Sequence, residues 1–158
     1  MASGVGIGKP SQWGPKLWTI LHSIGYYSSQ LHQDERVPEI IKKDAMREVL
    51  WLLGHLETIV PCSECRQHIE EYRKTNGLVT TLETVETWTI DFHNSVNVRL
   101  GKPVYTTKTI HHQKILLRSL WKEYMADISQ PIMMGHLPGD GPLEFARHLF
   151  LWKGFVGF

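Results

Sequence analysis

The residues best able to do chemistry in this chain are Cys62 and Cys65, set as Cys62-Ser63-Glu64-Cys65 directly behind Pro61 and the only cysteines among 158 residues. At this spacing two thiols at the start of a helix can close a disulfide within one turn. The free N–H groups of that first turn also favour a thiolate. Three chemistries fit. In a redox disulfide, Cys62 at the helix start meets a substrate, while Cys65, one turn along and more buried, faces an electron acceptor. In a zinc site the pair takes His68 as a third ligand and His111 or His112 as a fourth. In the plainest case both are helical cysteines packed into a core. A thioredoxin fold is disfavoured, because the βαβ pattern it needs is missing.

A second stretch, His93-Asn94-Ser95-Val96-Asn97-Val98-Arg99-Leu100-Gly101-Lys102-Pro103, puts His93, Asn97 and Leu100 on one helical stripe with Asn94 adjacent. Asparagine is a poor residue for a helix interior, so two of them beside a histidine point to side chains in use; the plainer reading is a solvated polar face. Val85, Trp88, Phe92 and Val96 supply the opposite, core-facing stripe. Earlier in the chain, Trp18 and His22 lie one turn apart on a face that otherwise reads as buried, where a lone histidine is ordinarily a satisfied core residue. The three segments offer flat apolar walls, amides, imidazoles and a sulfur pair. That is the inventory of a flavin site.

The elements that must position these groups read as helices. Leu17, Trp18, Leu21, Ile24 and Gly25 recur at helical spacing, which predicts a first helix from Pro15 to about Leu31. Pro38 opens a second, with Ile41, Ala45, Val49, Leu52, Leu53, Leu56 and Ile59 on a broad apolar face up to Pro61. A third runs from Cys62 to about Thr75, stopped by Asn76-Gly77. Thr81 or Thr84 caps a fourth, closed by Gly101. A fifth segment spans about 107 to 126, and Leu143 to Trp152 predicts a short helix in a Pro- and Gly-rich tail. Period-two alternation is missing. The fold class is therefore all-α: a four-helix bundle with an additional fifth helix and a C-terminal extension.

Composition narrows the functional classes. A hydrophobic share of 42% and a charged share of 21% describe one globular domain rather than a disordered chain. A formal net charge of +1 with no basic run gives no reason to propose nucleic acid. Residues 1 to 10 lack the apolar core of a signal peptide, and no apolar run reaches membrane-spanning length. The expectation is a cytoplasmic protein, in which an isolated cysteine pair does chemistry or binds metal rather than stapling the fold.

Three ordered motifs resemble the Erv/ALR family of FAD-linked sulfhydryl oxidases: Trp13-Gly14-Pro15-Lys16-Leu17-Trp18-Thr19-Ile20-Leu21-His22, then Pro61-Cys62-Ser63-Glu64-Cys65, then His93 through Asn97 to Leu100-Gly101-Lys102-Pro103. The resemblance implies FAD held at the mouth of the bundle and oxidation of protein dithiols to disulfides. Electrons pass through the cysteine pair to FAD and on to oxygen, giving hydrogen peroxide. It implies that Cys65 is the flavin-proximal sulfur and Cys62 the one attacked by substrate. Gly14, Lys16, Trp18, His22, Tyr27, Cys65, His93, Asn94, Asn97, Leu100, Lys102 and Tyr105 are then the cofactor-binding candidates, with Lys102 near the phosphates. The family often carries a tryptophan after the Lys-Pro pair; Lys114 lies near that position, and Trp121 is a candidate replacement.

The resemblance also implies a protein dithiol substrate, such as a small thioredoxin-like carrier, and a homodimer through the first two helices. With no third cysteine for a shuttle pair or an intersubunit bridge, substrate must reach Cys62 directly and the dimer must be noncovalent. Surplus apolar residues on the second helix, Ile40, Met46, Leu50 and Trp51 among them, fit such a dimer; alternatively Phe145, Leu149, Phe150 and Trp152 cover them within one chain. The chain is most similar to versions encoded by large cytoplasmic DNA viruses, which implies host cytoplasm or the virion as its setting. Its parts divide into a flexible N-terminus at 1–12, the oxidase domain at 13–127 and an extension at 128–158 packed on it. The readings from other classes are a flavin-free helical interaction protein with an inert or zinc-bound pair, and a thiol reductase.

Overall fold

The computed structural model describes residues 9–105 and 116–157. Among these there is no strand, and six α-helices carry the fold: α1 (Pro10–Gln33), α2 (Glu39–Gly54), α3 (Ser63–Asn76), α4 (Val85–Leu100), α5 (Leu117–Met133) and α6 (Asp140–Val156). Short 3₁₀ turns at Leu56–Ile59 and Leu82–Thr84 lead into α3 and α4. The all-α expectation holds.

α1 starts five residues before the predicted position. Pro10 takes the first helical turn, where a missing N–H costs nothing, and Lys9 in extended conformation accepts from the N–H groups of Gln12 and Trp13. Pro15 therefore lies inside the helix. The second helix stops at Gly54 and passes into the 3₁₀ turn, so Leu56 and Ile59 are buried from that turn rather than from α2. α4 ends as read: Gly101 has φ 70° and Lys102 N–H reaches back to the Asn97 carbonyl, a Schellman closure that turns the chain over the end of the helix.

α1 is the central element, packed along α4 on one side and α5 on another, while α6 lies along α2. Gly25 allows the α1–α4 approach. A Cβ there would sit 2.6 Å from Thr89 Oγ1 and 2.8 Å from Glu86 Cα. Gly25→Ala is expected to lower stability by about 1–3 kcal/mol, as overpacking does, read as a lower midpoint in urea unfolding; an unchanged midpoint would show that the two helices separate without cost.

The tail is more ordered than the sequence reading allowed. α5 runs straight through 127–128, where domain and extension were divided, and α6 extends well beyond Leu143–Trp152 at both ends. Phe145, Leu149 and Trp152 are fully buried. Trp51 of α2 lies between His55 and His148, with ring centroids 4.0 and 3.7 Å away, and His148 Nδ1 is 2.5 Å from the buried Glu48 carboxylate. The apolar surplus of α2 is thus covered within the chain, apart from Ile40 and Leu50, which stay exposed. No described helix is long and apolar enough to cross a membrane.

Candidate active site

Pro61 ends one segment and Cys62 begins the next. Cys62 is the N-cap of α3, with extended backbone (φ −112°, ψ 119°), and its Sγ accepts the Cys65 N–H at 3.3 Å. A sulfur here does the job usually given to a serine or aspartate oxygen. The two sulfurs are joined in a disulfide with Cα atoms 5.2 Å apart. Both cysteines are half-buried. The helix N-terminus that receives the pair stabilises negative charge on it once the bond is opened. No group of three or more His, Cys, Asp or Glu fit to hold a metal occurs among the described residues. His111 and His112 lie outside them.

Both cysteines line a cavity of about 910 Å³ between α1, α3, α4 and the segment after α4. One wall is aromatic. Trp18 stacks on His93 with centroids 3.9 Å apart and planes 10° from parallel, Phe92 tilts against Trp18 at 5.5 Å, and Tyr105 meets the His93 ring edge-on at 5.1 Å. His22 Nε2 and His93 Nδ1 are 2.8 Å apart. One ring must donate and the other accept, so the facing nitrogens hold a single proton between them. The apolar floor includes Leu17, Leu56, Val60 and Ile69, and the cations Arg99 and Lys102 stand at the rim.

Of the residues singled out from sequence, Gly14, Trp18, His22, Cys62, Cys65, His93, Asn97, Leu100, Lys102 and Tyr105 come together on this cavity. Four others do not line it. Lys16 points away and pairs with Asp127 of α5 at 2.5 Å. Tyr27 lies further along α1 and packs edge-on against Tyr26. Trp121 is buried between α5 and α6, stacked on Phe145 at 5.8 Å, because its apolar ring completes the core there. Asn94 acts one step removed: its Nδ2 donates to the Tyr105 carbonyl (3.1 Å) and its Oδ1 accepts the Tyr105 N–H (2.9 Å), which pins the Lys102–Tyr105 segment over the cavity edge. Lys114 lies outside the described residues.

Sequence reasoning passed over Pro10, Ser11, Thr19 and Arg99 as lining residues. Arg99 was legible, two residues after Asn97 and beside Lys102 in one motif. Nothing marks Pro10 and Ser11 until α1 is known to begin there. His68, weighed only as a metal ligand, also lines the cavity. Ser95 Oγ donates to the Phe92 carbonyl (2.6 Å), so toward His68 Nε2 it accepts (3.0 Å) and His68 carries its proton on Nε2. Burial, helped by Arg99, holds the His68 pKa below the ordinary histidine value.

Burial acts more strongly on His93. Together with the nearby Lys102 it pushes the pKa down to about 4. Above the unfolded value near 6.5, both states are neutral and the contribution to stability is complete. As pH falls from 6.5 toward 4 the unfolded chain takes up a proton that the folded site refuses, and stability drops by about 3 kcal/mol. His93→Gln is expected to flatten this part of the curve in urea titrations run as a pH series; equal acid sensitivity in both proteins would mean that His93 titrates normally.

The Erv1/Alr family model matches residues 15–115, a stretch that contains the cysteine pair, both aromatic-histidine segments and the cavity rim. The chain belongs to the Erv1/Alr family. It is 33% identical over 108 residues to an FAD-linked sulfhydryl oxidase of African swine fever virus, covering 66% of this chain and 83% of that protein. It is 36% identical over 104 residues to a putative FAD-linked sulfhydryl oxidase of Invertebrate iridescent virus 6, covering 60% and 85%. The mitochondrial FAD-linked sulfhydryl oxidase of Saccharomyces cerevisiae is 32% identical over 96 residues, covering 60% and 46%. No solved structure matches. α5 and α6 both lie beyond the matched stretch.

Proposed function

We propose that this Erv1/Alr protein is an FAD-dependent thiol oxidase that makes disulfides in partner proteins. The observation that carries the reading is that the Cys62–Cys65 disulfide lines the same cavity as the Trp18–His93 stack and the Arg99–Lys102 rim. The residues suit FAD by their chemistry. Flat aromatic and apolar surfaces receive ring systems, Asn97 and the two histidines offer polar contacts for adenine or ribose, and two cations suit a pyrophosphate. The volume lies toward the upper end for small-molecule sites, as a dinucleotide requires.

In the proposed reaction a substrate thiolate attacks Cys62, the Cys62–Cys65 bond breaks, and Cys65 leaves as a thiolate that the first turn of α3 stabilises. A second substrate thiolate then attacks the substrate sulfur of the mixed disulfide and releases Cys62. The substrate has lost two electrons and gained a disulfide; the pair has gained them. FAD held by the aromatic wall, Asn97 and the rim cations would supply the two-electron acceptor for the reduced pair and the link to oxygen, with hydrogen peroxide as the product. His93, neutral and desolvated, holds its face of the cavity without adding a charge. Asn94, through Tyr105, keeps Lys102 at the rim.

The substrate class is a protein dithiol, with a small thioredoxin-like carrier as the specific form. The reading also carries a noncovalent homodimer through the first two helices from the family resemblance, for which α2 still offers exposed Ile40 and Leu50; a monomer mass in sedimentation at micromolar concentration under reducing conditions removes it. The decisive test of function is the visible spectrum of the purified protein, followed by oxygen consumption with a dithiol. Flavin absorbance with dithiol-dependent oxygen uptake supports the reading. A colourless protein favours an inert or zinc-bound pair, and a yellow protein that reduces disulfides without consuming oxygen favours a reductase.

A further inference from the structure

Cys65 lies within α3, whereas Cys62 is its N-cap, joined to the helix by the Arg66 N–H on its carbonyl (2.9 Å) and the Cys65 N–H on its Sγ (3.3 Å). Its own backbone is extended, so its position is also set from the other side, by the chain that leads into it, residues 58 to 61. Two of the three holds on that lead-in come from the C-terminal side of the molecule, and the third, from Arg66 of α3, is shared with it. Tyr124 of α5, fully buried, donates its hydroxyl to the Ile59 carbonyl at 2.5 Å. Arg66 Nη1 spans the Val60 carbonyl (2.8 Å) and the His136 carbonyl of the α5–α6 turn (3.3 Å). Gly141, in the first turn of α6, lies so close that a Cβ there would sit 2.8 Å from the Thr58 carbonyl oxygen and 3.0 Å from Thr58 Cβ. Three successive residues, each with its own hold, run directly into Pro61 and Cys62.

We propose that the α5–α6 unit is a positioning device for the redox pair, fixing the 58–60 backbone so that Cys62 is presented at bonding distance from Cys65. It rests on the reading of Cys62 and Cys65 as the redox couple, and assigns a role to a part of the chain that lies outside the family match. The physical consequence concerns the equilibrium of the pair. A fixed lead-in raises the effective concentration of one thiol at the other and so favours the disulfide over the dithiol. Loosening it leaves the oxidised form less stable, and the couple becomes easier to reduce.

The test uses the full chain, with Gly141→Val to push the α6 turn off Thr58 and Tyr124→Phe to delete one hydrogen bond at nearly constant shape. Gly139→Ala is the control, since a Cβ there meets Ile132 at an ordinary 3.5 Å. Each protein is equilibrated anaerobically with graded ratios of reduced and oxidised dithiothreitol, and Cys62 and Cys65 are counted by alkylation and mass. Both variants are expected to raise the reduction potential of the pair, a tenfold fall in the equilibrium constant for disulfide formation corresponding to about 30 mV. The control is expected to match the parent. An unchanged potential in Tyr124→Phe and in folded Gly141→Val overturns the proposal even if both unfold at lower temperature, for then the contacts are packing alone; if Gly141→Val does not fold, Tyr124→Phe decides. Failure of the oxidase reading is recognised separately, by a Cys62→Ser protein that still turns over.

Discussion

Cys65→Ser and Cys62→Ser are each expected to bring dithiol-dependent oxygen consumption to background, a loss on the order of a thousandfold or more of the kind seen when one member of a catalytic unit is removed. Flavin content should survive both changes. Cys65 is one of many groups lining the cavity, and the aromatic wall, Asn97 and the rim cations are untouched by either substitution. The two variants should differ in their capture of substrate. With Cys65→Ser, Cys62 remains at the helix start as a thiol, able to form a stable mixed disulfide with an oxidised partner. With Cys62→Ser, the remaining thiol is one turn further in. Oxygen electrode traces with a dithiol, paired with flavin absorbance on the same samples, check the first expectation, and mass spectrometry after exposure to an oxidised dithiol checks the second. Retained turnover in either protein would remove the pair from the reaction.

The parts of this site legible in the sequence are those where a local pattern has one physical explanation. Pro61 before a cysteine pair at helix-start spacing marked the α3 boundary and put a redox pair among the readings, and Gly101 behind Leu100 marked the turn that brings Lys102 back over α4. His93 and Asn97 shared a stripe, and that stripe faces the cavity. What failed needed tertiary information. Lys16 stands between Gly14 and Trp18 in one motif, yet a helix turns each residue through about 100°, and its partner is an aspartate 111 residues away. Trp121 read as a ring available for a cofactor; only the position of α6 shows that Phe145 takes its face. Asn94 was correctly singled out as a side chain in use, but its two hydrogen bonds go to a backbone segment eleven residues on. The order of the tail was underestimated because its prolines and glycines read as breaks, although Pro142 sits in the first turn of α6 and Pro131 only two residues from the end of α5.

Whether that tail is integral to the domain is decided by Trp152→Ala, expected to cost about 3–5 kcal/mol, the range for truncating a buried aromatic residue. Trp152 is wholly buried, and its indole N–H donates to Ser28 Oγ of α1 at 3.1 Å, so the change opens a cavity and strands a hydroxyl that is itself fully buried. Its environment differs from that of the neighbouring hold, where His148 meets Glu48 on α2, so the two attachments can be weakened separately. If α6 were a loosely appended helix, the substitution would leave the main urea transition in place and α6 would melt early in a phase of its own. If α6 belongs to the cooperative unit, one transition moves to lower urea and α1, which lines the cavity along Gly14, Trp18 and His22, unfolds with it. Added FAD distinguishes the two cases further. At about 100 times its dissociation constant it restores roughly 2.7 kcal/mol to any unit that contains its site. A single transition that Trp152→Ala lowers and FAD raises would show that the C-terminal helices and the flavin cavity share one folding unit; two transitions, with only the first sensitive to Trp152 and only the second to FAD, would show that they do not.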